Sequence, residues 1–263
     1  MSIGQLDRTV RARLRTLSKD NAEDVGRHLI MVGSLLDIDP ELAYKHAQVA
    51  VARGGRVDVV REANALASYA TGRYAEALRE FRTVRRLNGS NEHLPLMADC
   101  ERGMGRPERA IDLARSEEAQ TLPARGRLEL EIVVAGARLD LGEAQSALVL
   151  LQRLETTDAE LNTRIARATV PVLRALGRSE EADAVEASLP TDEQEVDVEF
   201  DITVYDVAEL PEPEDESADL DADEDDDQFD DEDEVDEADD ELADVVDDEN
   251  GEDDEDTEGD DRP

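Results

Sequence analysis

His28, His46, His93 and Cys100 are the side chains of this chain best able to hold a metal ion or carry a proton. Zinc sites draw on such residues at short, repeated spacings, and these are scattered, with no HExxH-like pair among them. His28 and His46 fall on adjacent predicted helices and can meet, but the pattern assigns the histidines ordinary structural roles and no metal. Asp221, Asp223, Asp225 and Glu232 stand at the first, third, fifth and twelfth positions of a calcium loop. Asp226 holds the sixth, where the sharp turn needs glycine. In a segment this acidic the match is a coincidence of composition. There is no phosphate-binding glycine loop and no nucleophile elbow, and Gly103-Met104-Gly105 lies between helices with no strand before it, which excludes a dinucleotide loop. The sequence offers no catalytic residues and implies no cofactor.

Arginines are the other chemistry on view. Arg164, Arg167 and Arg174 recur at three and seven residues and so share a helical face. Guanidiniums so arranged can receive a carboxylate-bearing peptide through charge-assisted hydrogen bonds, against the plainer reading of a solvated basic face. Near the N-terminus, Leu6, Val10, Leu14 and Leu17 fall on one face of a helix expected over 1–19, with Arg8, Arg11 and Arg15 largely on the others. A basic amphipathic helix can lie on anionic lipid or approach nucleic acid. Four Arg and one Lys make a weak electrostatic footprint, so the helix is read as a cap that packs its apolar side over the helices next to it in the chain.

Composition divides the chain near residue 190. Residues 191–263 carry 41 Asp and Glu against one base, Arg262, a net charge of −40, whereas the preceding 190 residues carry only −2 of the total of −42. Such self-repulsion with few apolar residues to bury does not offset the entropy lost on ordering, and disorder is expected over 211–263. The preceding part is rich in Ala, Leu and Val and can bury a core. One cysteine excludes an internal disulfide and fits a reducing compartment. The first twenty residues have no apolar signal region and no run approaches 18 apolar residues, so a cytoplasmic protein without a membrane span is expected.

Short phrases recur along the balanced part: GRYAEA at 72–77, GRPERA at 105–110, GEAQSA at 142–147 and GRSEEA at 177–182, spaced by 33, 37 and 35 residues. IDPELA at 38–43 is a weaker copy that lacks the glycine. A period near 34 is the length of one helix-turn-helix unit, and repetition at that period means a stacked array. In the clearest copy Val60, Ala63, Ala67 and Ala70 keep helical spacing, and Thr71-Gly72-Arg73 then breaks the helix. A second helix follows with Tyr74, Ala77, Leu78, Phe81 and Val84 on one face. The spacing of 37 predicts a longer connection near Thr121-Leu122-Pro123, where proline cannot continue a helix.

This run resembles the tetratricopeptide repeat on Ala65 and on Gly72, Tyr74, Ala77 and Phe81 of GRYAEALREF. Arg61 stands where that family has an early Trp, and Gly89 where it has a closing Pro. Pro107, Ala144 and Ser179 replace the turn aromatic in later copies, and Ala114 a late aromatic. Phrases such as VRARLRTL, DPELAYKHA and MADCERGMGRPERA are similar to those of tetratricopeptide proteins from high-GC Gram-positive bacteria. The resemblance implies an all-α, solenoid-like domain of about five helix-turn-helix units over 20–190, with a groove made by the first helix of each unit. Family groove positions fall here on Glu62, Leu66 and Tyr69, on Arg102, and on Arg164, Arg167 and Arg174. The Lys and Asn set of the carboxylate-clamp members is missing, so recognition of a chaperone C-terminus is not implied.

Within 191–210, Val196, Val198, Phe200, Ile202 and Val204 occupy every second position between carboxylates and Thr, which is strand spacing. A lone strand needs a partner for its backbone and its apolar faces. Three readings stay open: it lies back in the chain's own groove, it adds to the sheet edge of a partner, or the alternation is incidental in a linker. The function expected is that of a non-enzymatic adaptor binding an extended segment of a protein partner, with a basic partner favoured by the tail. The tail is expected to repel nucleic acid. The competing function is an acidic-tail nucleic-acid mimic or chaperone for a basic ribosomal or DNA-binding protein.

Overall fold

A computed structural model describes residues 3–190. The apolar alternation at 196–204 and the acidic run beyond it lie outside the described residues. Among those described, every regular element is helical: α1 (Arg8–Arg13), α2 (Lys19–Leu35), α3 (Pro40–Gly54), α4 (Asp58–Ala70), α5 (Tyr74–Asn88), α6 (Leu94–Gly103), α7 (Pro107–Arg115), α8 (Glu117–Gln120), α9 (Ala124–Asp140), α10 (Ala144–Gln152), α11 (Ala159–Ala175) and α12 (Ser179–Ala187), with 3₁₀ turns at Ile3–Gln5 and Leu14–Thr16. Among the described residues no helix is long and apolar enough to cross a membrane.

The helices pack in consecutive pairs, α2 with α3, α4 with α5, α6 with α7, α9 with α10 and α11 with α12, and the second helix of each pair touches the first helix of the next. The recurrent glycines set the turn inside a pair. Gly72, Gly105, Gly142 and Gly177 all have φ between 72° and 79°, the left-handed region that glycine enters at no steric cost. The residue after each glycine then donates its N–H five residues back, from Arg73 to Ser68, Arg106 to Glu101, Glu143 to Arg138 and Arg178 to Leu173, at 2.8–2.9 Å. This closes the exposed carbonyls at the helix end and turns the chain by a fixed amount.

Between pairs, apolar contact is continuous. Ala65, Ala77, Phe81, Leu94, Ala98, Ala110 and Leu130 share one buried cluster, and Ala135, Leu148, Leu151, Val172 and Ala182 share the next. Ala65, Ala77 and Ala98 have no exposed surface, which is why side chains that small are needed where helices cross. Tyr74 lies against Gly103 of α6 so closely that a Cβ there would come within 2.5 Å of the ring. Ion pairs recur at the repeat spacing too: Arg73 with Glu41, Arg85 with Glu118 and Arg164 with Glu129 are 32, 33 and 35 residues apart.

One local expectation is revised, and the longer connection expected near Thr121-Leu122-Pro123 is present. The single helix expected over 1–19 is three short pieces, because the Asp7 side chain accepts from Thr9 N and starts a new helix, and Leu17 and Ser18 are extended before α2. Its apolar side chains still cover the first pairs: Leu6, Val10, Leu14 and Leu17 pack with Val25, Leu29, Ala50, Val57 and Val60. The long connection before Pro123 holds one extra helical turn, α8, and buries Leu122.

Candidate functional site

A groove of about 590 Å³ runs across α4, α6, α9 and α11, the first helices of four successive pairs. Its lining follows the repeat. Leu66, Asp99, Gly136 and Pro171 each stand six residues before a turn glycine, Tyr69, Arg102 and Leu139 three before, Leu96, Val133 and Ala168 nine before, and Glu92, Glu129 and Arg164 thirteen before. Equal phase on stacked helices brings these residues to one side, since helical side chains three and four apart share a face.

A polar chain crosses the groove. Tyr69 donates its hydroxyl to Asp99 Oδ2 at 2.5 Å, and Arg102 donates from Nη1 to Asp99 Oδ1 at 2.7 Å and from Nε to Asp140 Oδ2 at 2.6 Å. Burial, then the hydrogen bond to Asp99, holds the Tyr69 hydroxyl well above its ordinary range, so it stays a donor. Gly136 is small because the Arg102 guanidinium lies over it: a Cβ there would sit 2.9 Å from Nη1. Farther along, Arg164 donates to Glu129 at 3.1 Å, and Arg125 reaches the same carboxylate at 3.3 Å. At the near end His93 Nε2 lies 3.2 Å from Glu62 Oε1.

Of the residues expected from sequence to form the site, Leu66, Tyr69, Arg102 and Arg164 line this groove, and Glu62 adjoins it through His93. Arg167 is not among the lining residues. Arg174 turns to α12, where Nη2 lies 2.6 Å from Glu186 and 3.6 Å from Asp183. It holds the phase of Tyr69 and Arg102, but those reach the first helix of the next pair, and no such helix follows α12 among the described residues. Of the three arginines, Arg164 alone is among the residues that line the groove. Val196, Val198, Phe200, Ile202 and Val204 lie outside the described residues.

Sequence reasoning missed Asp99, Glu129, Leu96, Val133, Gly136 and Pro171. A signal was present, because shifting Leu66 by the glycine spacings of 33, 37 and 35 lands on Asp99, Gly136 and Pro171. Cys100 is buried, and burial ahead of the neighbouring Asp99 and Glu101 charges pushes its thiol up to about 12, so it is a packing residue with no thiolate at neutral pH.

Fold and groove together define, among the described residues, an all-helical stack of helix pairs with an open strip on the side of the first helices. No protein-family model, no curated protein and no solved structure matches the chain.

Proposed function

We propose that this chain is a tetratricopeptide-like cytoplasmic adaptor that acts by binding, with no catalytic step, and that its groove holds an extended peptide of a protein partner. The observation that carries the reading is the recurrence of lining positions one repeat apart, Leu66, Asp99, Gly136 and Pro171 above all. A surface built from the same position of successive units is a strip with one set of side chains per unit, which suits an extended chain. The match in GRYAEALREF and the left-handed turn glycines support the tetratricopeptide assignment. A single buried cysteine supports a reducing compartment.

The chemistry of the strip sets the kind of peptide. Leu66, Leu96, Ile132 and Val133 take apolar side chains. Asp99 and Asp140 hold Arg102 and Glu129 holds Arg164, while Glu62 and Glu92 stand beside His93 at the near end. The excess negative charge therefore favours Lys or Arg on the ligand, in place of the carboxylates that an arginine face alone would select.

The competing reading, in which the tail by itself is a nucleic-acid mimic or acidic chaperone, is favoured by the 41 acids against one base in 191–263. One experiment separates them. Peptides mixing apolar and basic residues, selected from a display library by the full chain, are expected to bind Ile132→Arg at least tenfold more weakly while that variant melts like the wild type. They are expected to keep most of their affinity when residues 211–263 are removed. Binding that ignores Ile132→Arg and disappears with the tail overturns the groove in favour of the tail.

A further inference from the structure

The turn between α5 and α6 brings the adjacent donors Glu92 and His93 against Glu62 of α4, about thirty positions earlier in the sequence. His93 Nε2 stands 3.2 Å from Glu62 Oε1 and 3.7 Å from Glu92 Oε1, and one donor atom from each of the three residues lies within 4.8 Å of the other two. The histidine side chain is only 14% exposed, and its ring is fixed against Phe81, with centroids 5.1 Å apart. Nε2 itself is buried and makes no hydrogen bond.

That combination calls for a ligand. A buried ring nitrogen with no partner costs free energy. Glu62 is near enough to relieve it, yet its oxygen lies off the direction along which the imidazole donates or accepts. A charged histidine paired with its glutamates explains the proximity but not that direction. An ion explains both, because two donors held at about 2.0–2.1 Å by one tetrahedral ion stand about 3.3 Å apart and aim at the ion instead of at each other.

We propose that Glu62, Glu92 and His93 bind one divalent ion of the zinc class at the edge of the groove. One imidazole with two carboxylates suits zinc, cobalt or manganese better than calcium or magnesium, which prefer oxygen alone. Three protein ligands leave a coordination position for water or for a donor from a bound molecule. Glu62 belongs to α4 while Glu92 and His93 precede α6, so the ion ties two successive helix pairs together at the groove. The proposal rests on this geometry and on no particular peptide, although a bound ion offsets the negative charge that Glu62 and Glu92 lend to that end of the groove.

The test must see past the acidic tail, whose carboxylates collect divalent ions loosely. An ion bound only by the folded site raises the melting temperature, and because a site variant carries the same tail as the wild type, a rise confined to the wild type comes from the site. The full-length protein, stripped with chelator, is melted with zinc chloride, with magnesium chloride and with neither, beside the full-length Glu62→Gln/Glu92→Gln double variant, whose amides keep the shape of the carboxylates. Zinc is expected to raise the wild-type melting temperature where equal magnesium does not, and the variant is expected to lose that rise. Cobalt supplies the second readout: the wild type acquires the intense visible absorption of a four- or five-coordinate ion, with apparent affinity at least tenfold weaker in the variant. Equal zinc shifts in the two proteins, no zinc shift in the wild type, or only the weak six-coordinate cobalt spectrum of free carboxylates overturns the site.

Discussion

Phe81 shows how a single side chain joins units here. It is wholly buried, shares a cluster with residues of α4, α6 and α7, and supports the ring of His93 at the groove's edge. Phe81→Ala is expected to cost about 3–5 kcal/mol, measurable by urea unfolding, because the cavity opens between helices that cannot both close on it. Arg61, standing where the resembled family has Trp, replaces apolar filling with an ion pair: its Nη1 lies 3.1 Å from both oxygens of buried Glu80, and its Nε donates to Gly55 O at 2.6 Å. His28 and His46 meet Nδ1 to Nδ1 at 2.8 Å, which requires one ring to donate and the other to accept, so the two cannot both be charged. Burial, then the neighbouring His46, lowers the His28 pKa from 6.5 to about 4, and burial lowers that of His46. The unfolded chain thus takes up protons before the native one does. The pair's contribution to stability is whole above about pH 6.5 and is lost as pH falls from there toward 4. Between pH 7 and 5 the urea midpoint of the wild type should fall further than that of His28→Gln; equal falls would refute the linkage.

At the scale of elements, glycine has opposite meanings at different positions. Gly142 has φ +79° and open space where a Cβ would stand, so Gly142→Ala tests backbone strain alone and should destabilise by about 1 kcal/mol. Gly33 sits inside α2, also with open space at its Cβ but in ordinary helical backbone, and Gly33→Ala should stabilise by about 0.5–1 kcal/mol. Paired thermal melts check the change of sign. The turn glycines were legible in the sequence because the left-handed requirement is local and recurs. The break of the N-terminal helix at Asp7 was not, because Leu6, Val10, Leu14 and Leu17 keep helical phase across it. Nor was the turn of Arg174, whose sequence phase equals that of Arg102.

For the whole molecule, charge is the organising fact: −40 in the last 73 residues and −2 in the rest. If a basic peptide binds as proposed, the tail's field acts mainly on encounter, and the groove's contacts act on residence. The association rate constant is expected to fall steeply with added salt, and removal of residues 211–263 is expected to abolish most of that dependence while leaving the dissociation rate within a few-fold. Ile132→Arg should do the reverse, speeding dissociation and leaving the salt slope. Stopped-flow kinetics at several ionic strengths separates the two.

The sequence by itself determined the unit length, the turn inside four of the five units, the pairing of helices and the partition of charge, since each follows from local backbone preference, helical period or composition. Four of the groove residues were also legible, because the first helices repeat in phase. Which charges are already spent was decided only by tertiary structure. Asp99 and Asp140 take Arg102, Glu129 takes Arg164, Glu186 takes Arg174, and Glu62 meets His93. Most of these partners come from neighbouring units some thirty residues away, and their meeting depends on how far one pair is rotated and shifted against the next. The packing of whole helix faces sets that rotation, and no local pattern records it.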